Sequence, residues 1–229
     1  MNGLFIGIVI VIFIVIVIYS IISAAKRRKE LAAWAGLKGL NYTNTKDYGM
    51  DDKYSQFGVL RKGERRYAYN IMSGNWDDLS ITAFDYHYET HSRDSKGRRQ
   101  THHHHFSSVI LKSDIPLKPL FIRPEGFFDK ITEFFGFDDI DFESAEFSKK
   151  FFVKAGDRKW AYDVIHTRTM QYLLDNPTFT IQFDDNSNII AYRNKKFKVE
   201  EFETAADLIK GLLDLMPGYL VKQQKEGFS

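Results

Sequence analysis

The sequence predicts an α+β fold: an N-terminal transmembrane helix, then a mixed domain with an antiparallel β-meander and packed helices. Three observations predict it. An uncharged aliphatic run fills residues 3–25, and strand-like and helix-like stretches follow in blocks rather than in strict alternation. The strand-like stretches are also separated by short turn signals.

The run from Gly3 to Ala25 carries no charge, and its centre reads IGIVIVIFIVIVIYSII. As a helix it is about 34 Å long at about 1.5 Å per residue, enough to cross a hydrocarbon layer of roughly 30 Å. Its β-branched residues favour strands in water. In lipid a lone strand leaves its backbone groups unpaired, so the helix prevails. A cleaved secretory signal needs a basic region ahead of a shorter apolar run, and no basic residue precedes this one.

Lys26, Arg27, Arg28 and Lys29 end the run on one side only. The positive-inside bias then places the following domain in the cytoplasm and leaves residues 1–2 as a short extracytoplasmic tail of a single-pass cell-membrane protein. The same four residues are the candidate membrane-surface contacts, since each basic residue near anionic headgroups contributes about 1 kcal/mol.

Composition narrows the function classes. Net charge is only +2, and the basic cluster at 26–29 exceeds it, so the remainder is near neutral and lacks the excess of positive charge that nucleic-acid binding needs. With no cysteine, disulfides, thiol catalysis and Cys-based zinc sites are excluded. Twenty Phe and 12 Tyr against 5 Pro describe a packed, strand-rich domain rather than a disordered tail.

Residues 26–40 read as a basic juxtamembrane stalk helix, with Leu31, Trp34, Ala35 and Lys38 at helical spacing and Gly39 as its stop. Residues 41–114 read as a β-meander subdomain, with 41–55 a loop and strands at 57–60, 65–72, 79–90 and 102–112. Residues 115–229 read as an α+β subdomain. It has a helix over Phe127–Phe135, an edge strand led by 138–144, and a strand at 147–153 edged by Lys149 and Lys150. A helix capped by Asp157 and running to Leu174 follows, then a hairpin at 179–193 and a last helix from Phe202 to Met216 stopped by Pro217.

The histidines carry the chemical signal, six of the seven lying between residues 87 and 105. Alternation puts Asp85, His87, Glu89 and His91 on one strand face and Phe84, Tyr86 and Tyr88 on the other. If Phe106 joins the apolar face, His103 and His105 meet His87 and Glu89 across a hairpin. Imidazole with carboxylate binds divalent transition metals, so His87, Glu89, His91, His103 and His105 are the candidate ligands. Against this, an exposed run of four histidines (102–105) chelates metal adventitiously. Asp138, Asp139 and Asp141 lack the glycine and distal glutamate of a calcium loop. No phosphate-loop, dinucleotide, metalloprotease or serine-hydrolase motif occurs, so no catalytic residue or organic cofactor is assigned.

ITAFDYHY (81–88), LFIRPEGFFDKI (120–131), DIDF (139–142) and FSKKFFVKAGD (147–157) together resemble a pattern in a widespread set of uncharacterised prokaryotic membrane-anchored proteins. The resemblance implies one N-terminal helix ahead of a soluble domain, and it implies no activity and no functional residue. The His102–His105 run lies outside it.

Three functions are compatible with these residues. The first is a membrane-tethered binding or scaffold domain, with the lipid bilayer and another membrane or cytoplasmic protein as partners and no nucleic acid. The second is a metal-binding or metal-sensing protein using the His-rich hairpin. The third is a tethered hydrolase without a recognisable motif.

Overall fold

The computed structural model describes residues 2–126, 137–176 and 178–226. Helix α1 runs unbroken from Asn2 to Leu37 and joins the apolar run and the stalk in one element. It is long and apolar enough to cross a membrane, and residues 5–24 are exposed along their whole length. From Arg27 onward its character changes. Leu31, Trp34 and Ala35 are buried against the domain, one helical face at i, i+3 and i+4.

A nine-stranded sheet forms the body of the domain. Its strands are β1 (Asn41–Thr43), β2 (Glu64–Trp76), β3 (Leu79–Arg93), β4 (Arg99–Lys112), β5 (Leu120–Pro124), β6 (Asp138–Asp139), β7 (Phe151–Ala155), β8 (Thr180–Phe183) and β9 (Asn188–Arg193). They lie in the order β1-β2-β3-β4-β9-β8-β5-β7-β6, every pairing antiparallel. Because β4 pairs with β9, the segments 41–114 and 115–229 share one sheet rather than dividing at residue 115.

The sheet buries both faces. One face holds Ile81, Ala83, Val109, Leu111, Ile189 and Ala191 under α1 and α6 (Val199–Asp214). The other holds Phe84, Tyr86, Phe106, Ile110, Ile190 and Tyr192 under a short cover made of α2 (Met50–Lys53) and a 3-10 turn at Gly58–Arg61. The alternation of β3 and β4 therefore sorts residues between two cores rather than between core and water.

Several local readings change under this packing. FGVL (57–60) is not a strand but leads from Phe57 into the 3-10 turn, because Val59 and Leu60 fill the second core and the Tyr86 hydroxyl donates to the Leu60 carbonyl at 2.7 Å. Residues 41–55 are not all loop, since β1 and α2 lie within them. Residues 147–150 belong to α3 (Ala145–Lys150), capped by the Ser144 hydroxyl, which accepts from the Phe147 amide at 3.3 Å. Lys149 and Lys150 consequently sit in the last turn of a helix and not on a strand edge, where they complement the helix dipole.

Asp157 does cap a helix, accepting from the Trp160 amide at 3.0 Å, but that helix is two. Helix α4 (Arg158–Val164) ends at Ile165, and His166 caps α5 (Thr167–Asp175) through Nδ1, which accepts from the Arg168 amide at 3.2 Å. Pro217 stops α6 and leads directly into α7 (Gly218–Glu226). The helix expected over Phe127–Phe135 lies outside the described residues, whereas the Asp138–Asp139 edge strand and the β8–β9 hairpin form as expected.

Candidate functional site

A buried ionic clasp joins α1 to the sheet. Asp85 lies mid-strand in β3 with no solvent exposure. Arg27 donates to both its carboxylate oxygens, from Nε at 2.8 Å and Nη2 at 2.7 Å, and from Nη1 to the Phe197 carbonyl at 2.8 Å. The Ser107 hydroxyl of β4 donates to Asp85 Oδ1 at 2.5 Å and accepts from the Phe197 amide at 2.9 Å. Asn70 of β2 donates to Asp85 Oδ2 at 2.9 Å and accepts at its own Oδ1 from the Tyr42 hydroxyl at 2.8 Å. The fork of the guanidinium and a fully bonded carboxylate make this a bidentate pair that lysine would not reproduce. Burial and the Asp85 charge raise the pKa of the adjacent Tyr69, and burial lowers that of Lys196 despite the pull of Asp85.

Of the four candidate membrane-surface residues, Lys26, Arg28 and Lys29 are exposed and Arg27 turns into the domain. Arg27 continues the face of Leu31, Trp34 and Lys38 at i, i+4, i+7 and i+11, and Lys38 pairs with Glu203 of α6 at 2.6 Å.

On the same sheet face, further along β3 and β4, lie the histidines. The register sets His87 opposite His105 and Glu89 opposite His103. His87 Nε2 is 3.2 Å from His103 Nδ1, and His103 Nδ1 is 3.4 Å from Glu89 Oε1. His87 and Glu89 are buried and His103 is exposed. Tyr67 stacks on the His87 ring with centroids 4.6 Å apart, and the Lys46 ammonium sits 4.1 Å above Tyr67. Burial lowers the His87 pKa, against the raising effects of the Arg65 carbonyl and Glu89.

The other two candidates point elsewhere. His105 Nδ1 pairs with the Tyr69 hydroxyl at 3.1 Å. Its outer edge is open to water, yet loss of hydration on its inner side, with Lys196 and His87 beside it, lowers its pKa to about 4. His91 is engaged with Thr101 at 3.1 Å and with Glu64 at 3.4 Å. On the opposite face His104 and His102 bond to the Thr90 and Ser92 hydroxyls at 2.8 and 2.7 Å. The structure thus brings together three of the five proposed ligands: His87, Glu89 and His103.

Gly63 holds this arrangement in place. It has φ +63, and a Cβ there would come within 2.2 Å of the Glu89 carbonyl oxygen. Gly63→Ala is expected to destabilise the fold by about 2 kcal/mol or more, from the left-handed backbone and the forced shift of β3. Urea unfolding measures it, and an unchanged midpoint would contradict the assignment.

A third feature is an open groove of about 770 Å³ between α1 and the start of α6. Ala33, Trp34, Leu37, Phe197 and Val199 give it an apolar floor, and its rim is mixed in charge, with Arg27, Lys196 and Lys198 beside Glu30 and Glu200. Leu37 is 85% exposed beside it.

No protein-family model matches the sequence, and no curated protein matches it. Among solved structures, the chain is similar to the crystal structure of the mycobacterial trehalose monomycolate transport factor A, TtfA, with a TM-score of 0.61 and 11% identity. The match covers 83% of this chain and 96% of that one, and at this identity the likeness is one of fold, that of a mixed α+β domain.

Proposed function

We propose that this chain is a single-pass membrane protein whose cytoplasmic domain, clamped rigidly to its own anchor, serves as a binding or scaffold module for a second membrane protein. The observation that carries this reading is the Arg27–Asp85 clasp. A flexible linker would let the domain sample all orientations. An unbroken helix locked to the sheet two residues past the apolar run fixes the domain's height and facing at the bilayer. Fixing a module in this way raises its effective concentration for partners in the same plane. The description of TtfA as a transport factor is compatible with such an accessory role.

The groove beside α1 is the face we assign to the partner, since it is apolar, lies beside the anchor helix and leaves Leu37 uncovered. A photo-crosslinking side chain at Leu37 in native membranes is expected to give an adduct of discrete mass. The same side chain at the exposed Tyr48 on another surface gives none. Equal labelling at both positions, or none at Leu37, would contradict the reading.

The bilayer itself is the second partner. Trp34 stacks on Trp76, next to the start of β3, while Arg27 meets Asp85. Moving along α1 toward the apolar run therefore accompanies moving along β3 toward its end. Beyond Asp85, β3 continues to Arg93, roughly 26 Å at about 3.3 Å per residue. The hairpin tip carries exposed Arg93, Lys96, Arg98 and Arg99, suited to anionic headgroups. The chain lacks cysteine, so Ser95→Cys gives a unique spin-label site. In bilayers containing phosphatidylglycerol the label is expected to be shielded from a water-soluble nickel relaxant. Full access would show a tip standing clear of the membrane.

A further inference from the structure

We propose that His87, Glu89 and His103 form a binding site for one divalent transition-metal ion of the zinc class, with an open coordination position facing solvent. Three independent observations support it.

The first is spacing. His87 Nε2 and His103 Nδ1 are 3.2 Å apart, His103 Nδ1 and Glu89 Oε1 are 3.4 Å apart, and all three donor atoms lie within 4.8 Å of one another. Bonds of about 2.0–2.1 Å in a tetrahedron set neighbouring ligands roughly 3.3 Å apart. Two of the three edges therefore already have the length a bound ion requires. Two imidazoles and a carboxylate are also a donor set that zinc and its neighbours accept.

The second is the orientation of His87. Its Nδ1 lies 3.2 Å from the Arg65 carbonyl. A carbonyl only accepts, so Nδ1 carries the proton and the Nε2 lone pair accepts from His103 Nδ1–H. An incoming ion replaces that proton while the Arg65 carbonyl keeps His87 oriented, the usual support for a ligating imidazole. That carbonyl is aimed by an irregularity in β2. The pairing with β3 shifts between Glu64 and Tyr67, and Arg65 sits in the bulge at φ 50, a conformation a non-glycine residue adopts only when the surroundings compel it.

The third is Glu89. Its residue exposure is 6%, and its Oε2 is buried without a hydrogen-bond partner. The Arg65 guanidinium reaches to 3.7 Å of that atom from a largely exposed position, which balances charge without filling the oxygen's bonding capacity. The proposed ion bonds the other oxygen, Oε1, and supplies the close positive charge that a buried, incompletely bonded carboxylate needs.

The outward-facing His102 and His104 belong to the same run but to the other sheet face, so they separate a built site from chelation by a histidine tract. The test is calorimetric titration of Zn²⁺ into the untagged full chain in nanodiscs, with thermal unfolding followed in parallel. The expected result is one ion per chain and a rise in unfolding temperature with added Zn²⁺. Glu89→Gln, which keeps shape and removes charge, is expected to weaken binding at least tenfold, and His102→Ala with His104→Ala to leave it unchanged. Stoichiometry above one, affinity unaffected by Glu89→Gln, or binding lost only with His102 and His104 would overturn the site. His87→Ala is expected to abolish binding, and should it fail to fold, Glu89→Gln and the His102/His104 pair still decide the matter.

Discussion

Asp85→Ala is expected to lower the stability of the folded chain by about 3 kcal/mol, because it leaves the part-buried Arg27 guanidinium without its counter-charge and the groups around a fully buried carboxylate without their acceptor. The loss goes beyond one ion pair. Ser107 and Asn70 lose their acceptor as well, and Ser107 is the group that receives the Phe197 amide ahead of α6. Arg27→Ala leaves the opposite orphan, a carboxylate with no exposure, and is expected to cost a similar amount. A volume-matched apolar pair, Arg27→Met with Asp85→Leu, is expected to recover part of the loss, since buried ion pairs cost heavily in desolvation. Urea unfolding of the full chain in mild detergent measures all three variants. A loss below about 1 kcal/mol for Asp85→Ala would mean the pair is worth no more than a solvent-screened surface ion pair and would contradict the buried clasp.

Trp34→Ala carries a comparable effect, about 3–5 kcal/mol. The Trp34 ring lies 6.0 Å from both Trp76 and Phe202, at the meeting point of α1, the end of β2 and α6. Truncation opens a cavity among three elements that cannot collapse together, because α1 is held by the clasp one turn-pair away. Its indole nitrogen is buried without a hydrogen-bond partner, so Trp34→Phe sacrifices packing volume but no polar contact and is expected to cost well under half as much. Matching losses for the two variants would place the value of Trp34 in its N–H and contradict the packing account.

The parts of the fold legible in the sequence are those governed by one local period. The β3–β4 register followed from parity, because a shift of one residue would have put Phe106 and Tyr86 on opposite faces. The β8–β9 hairpin and α6 were legible for the same reason, one dominant pattern with clear stops. Where two patterns compete, the reading failed. FSKKFFV holds both a capped helical turn and a strand, and the α4–α5 break at Ile165 leaves the apolar stripe nearly unbroken.

The clasp was hidden for a different reason. Arg27 sits in a basic run that the positive-inside expectation accounts for as a block, and Asp85 sits on a face that alternation labels polar. Both faces of the sheet turn out to be covered, so a charge inside ITAFDYHY needed a partner far away in sequence. The available signal was the position of Arg27 on the same helical face as Leu31 and Trp34. For the metal candidates, parity brought His87, Glu89 and His103 together, but it did not reveal that His105 turns to Tyr69 and His91 to Thr101 and Glu64.

The stalk of α1 is a structural part of the domain, so that the helix and the domain move as one body. Two soluble fragments, residues 26–229 and 41–229, test it by thermal and urea unfolding side by side. The expected result is one cooperative transition for 26–229 and a much lower or absent transition for 41–229, which lacks Arg27, Leu31, Trp34 and Ala35. Equal midpoints and equal cooperativity in the two fragments would show the helix to be a mere tether and would contradict the account.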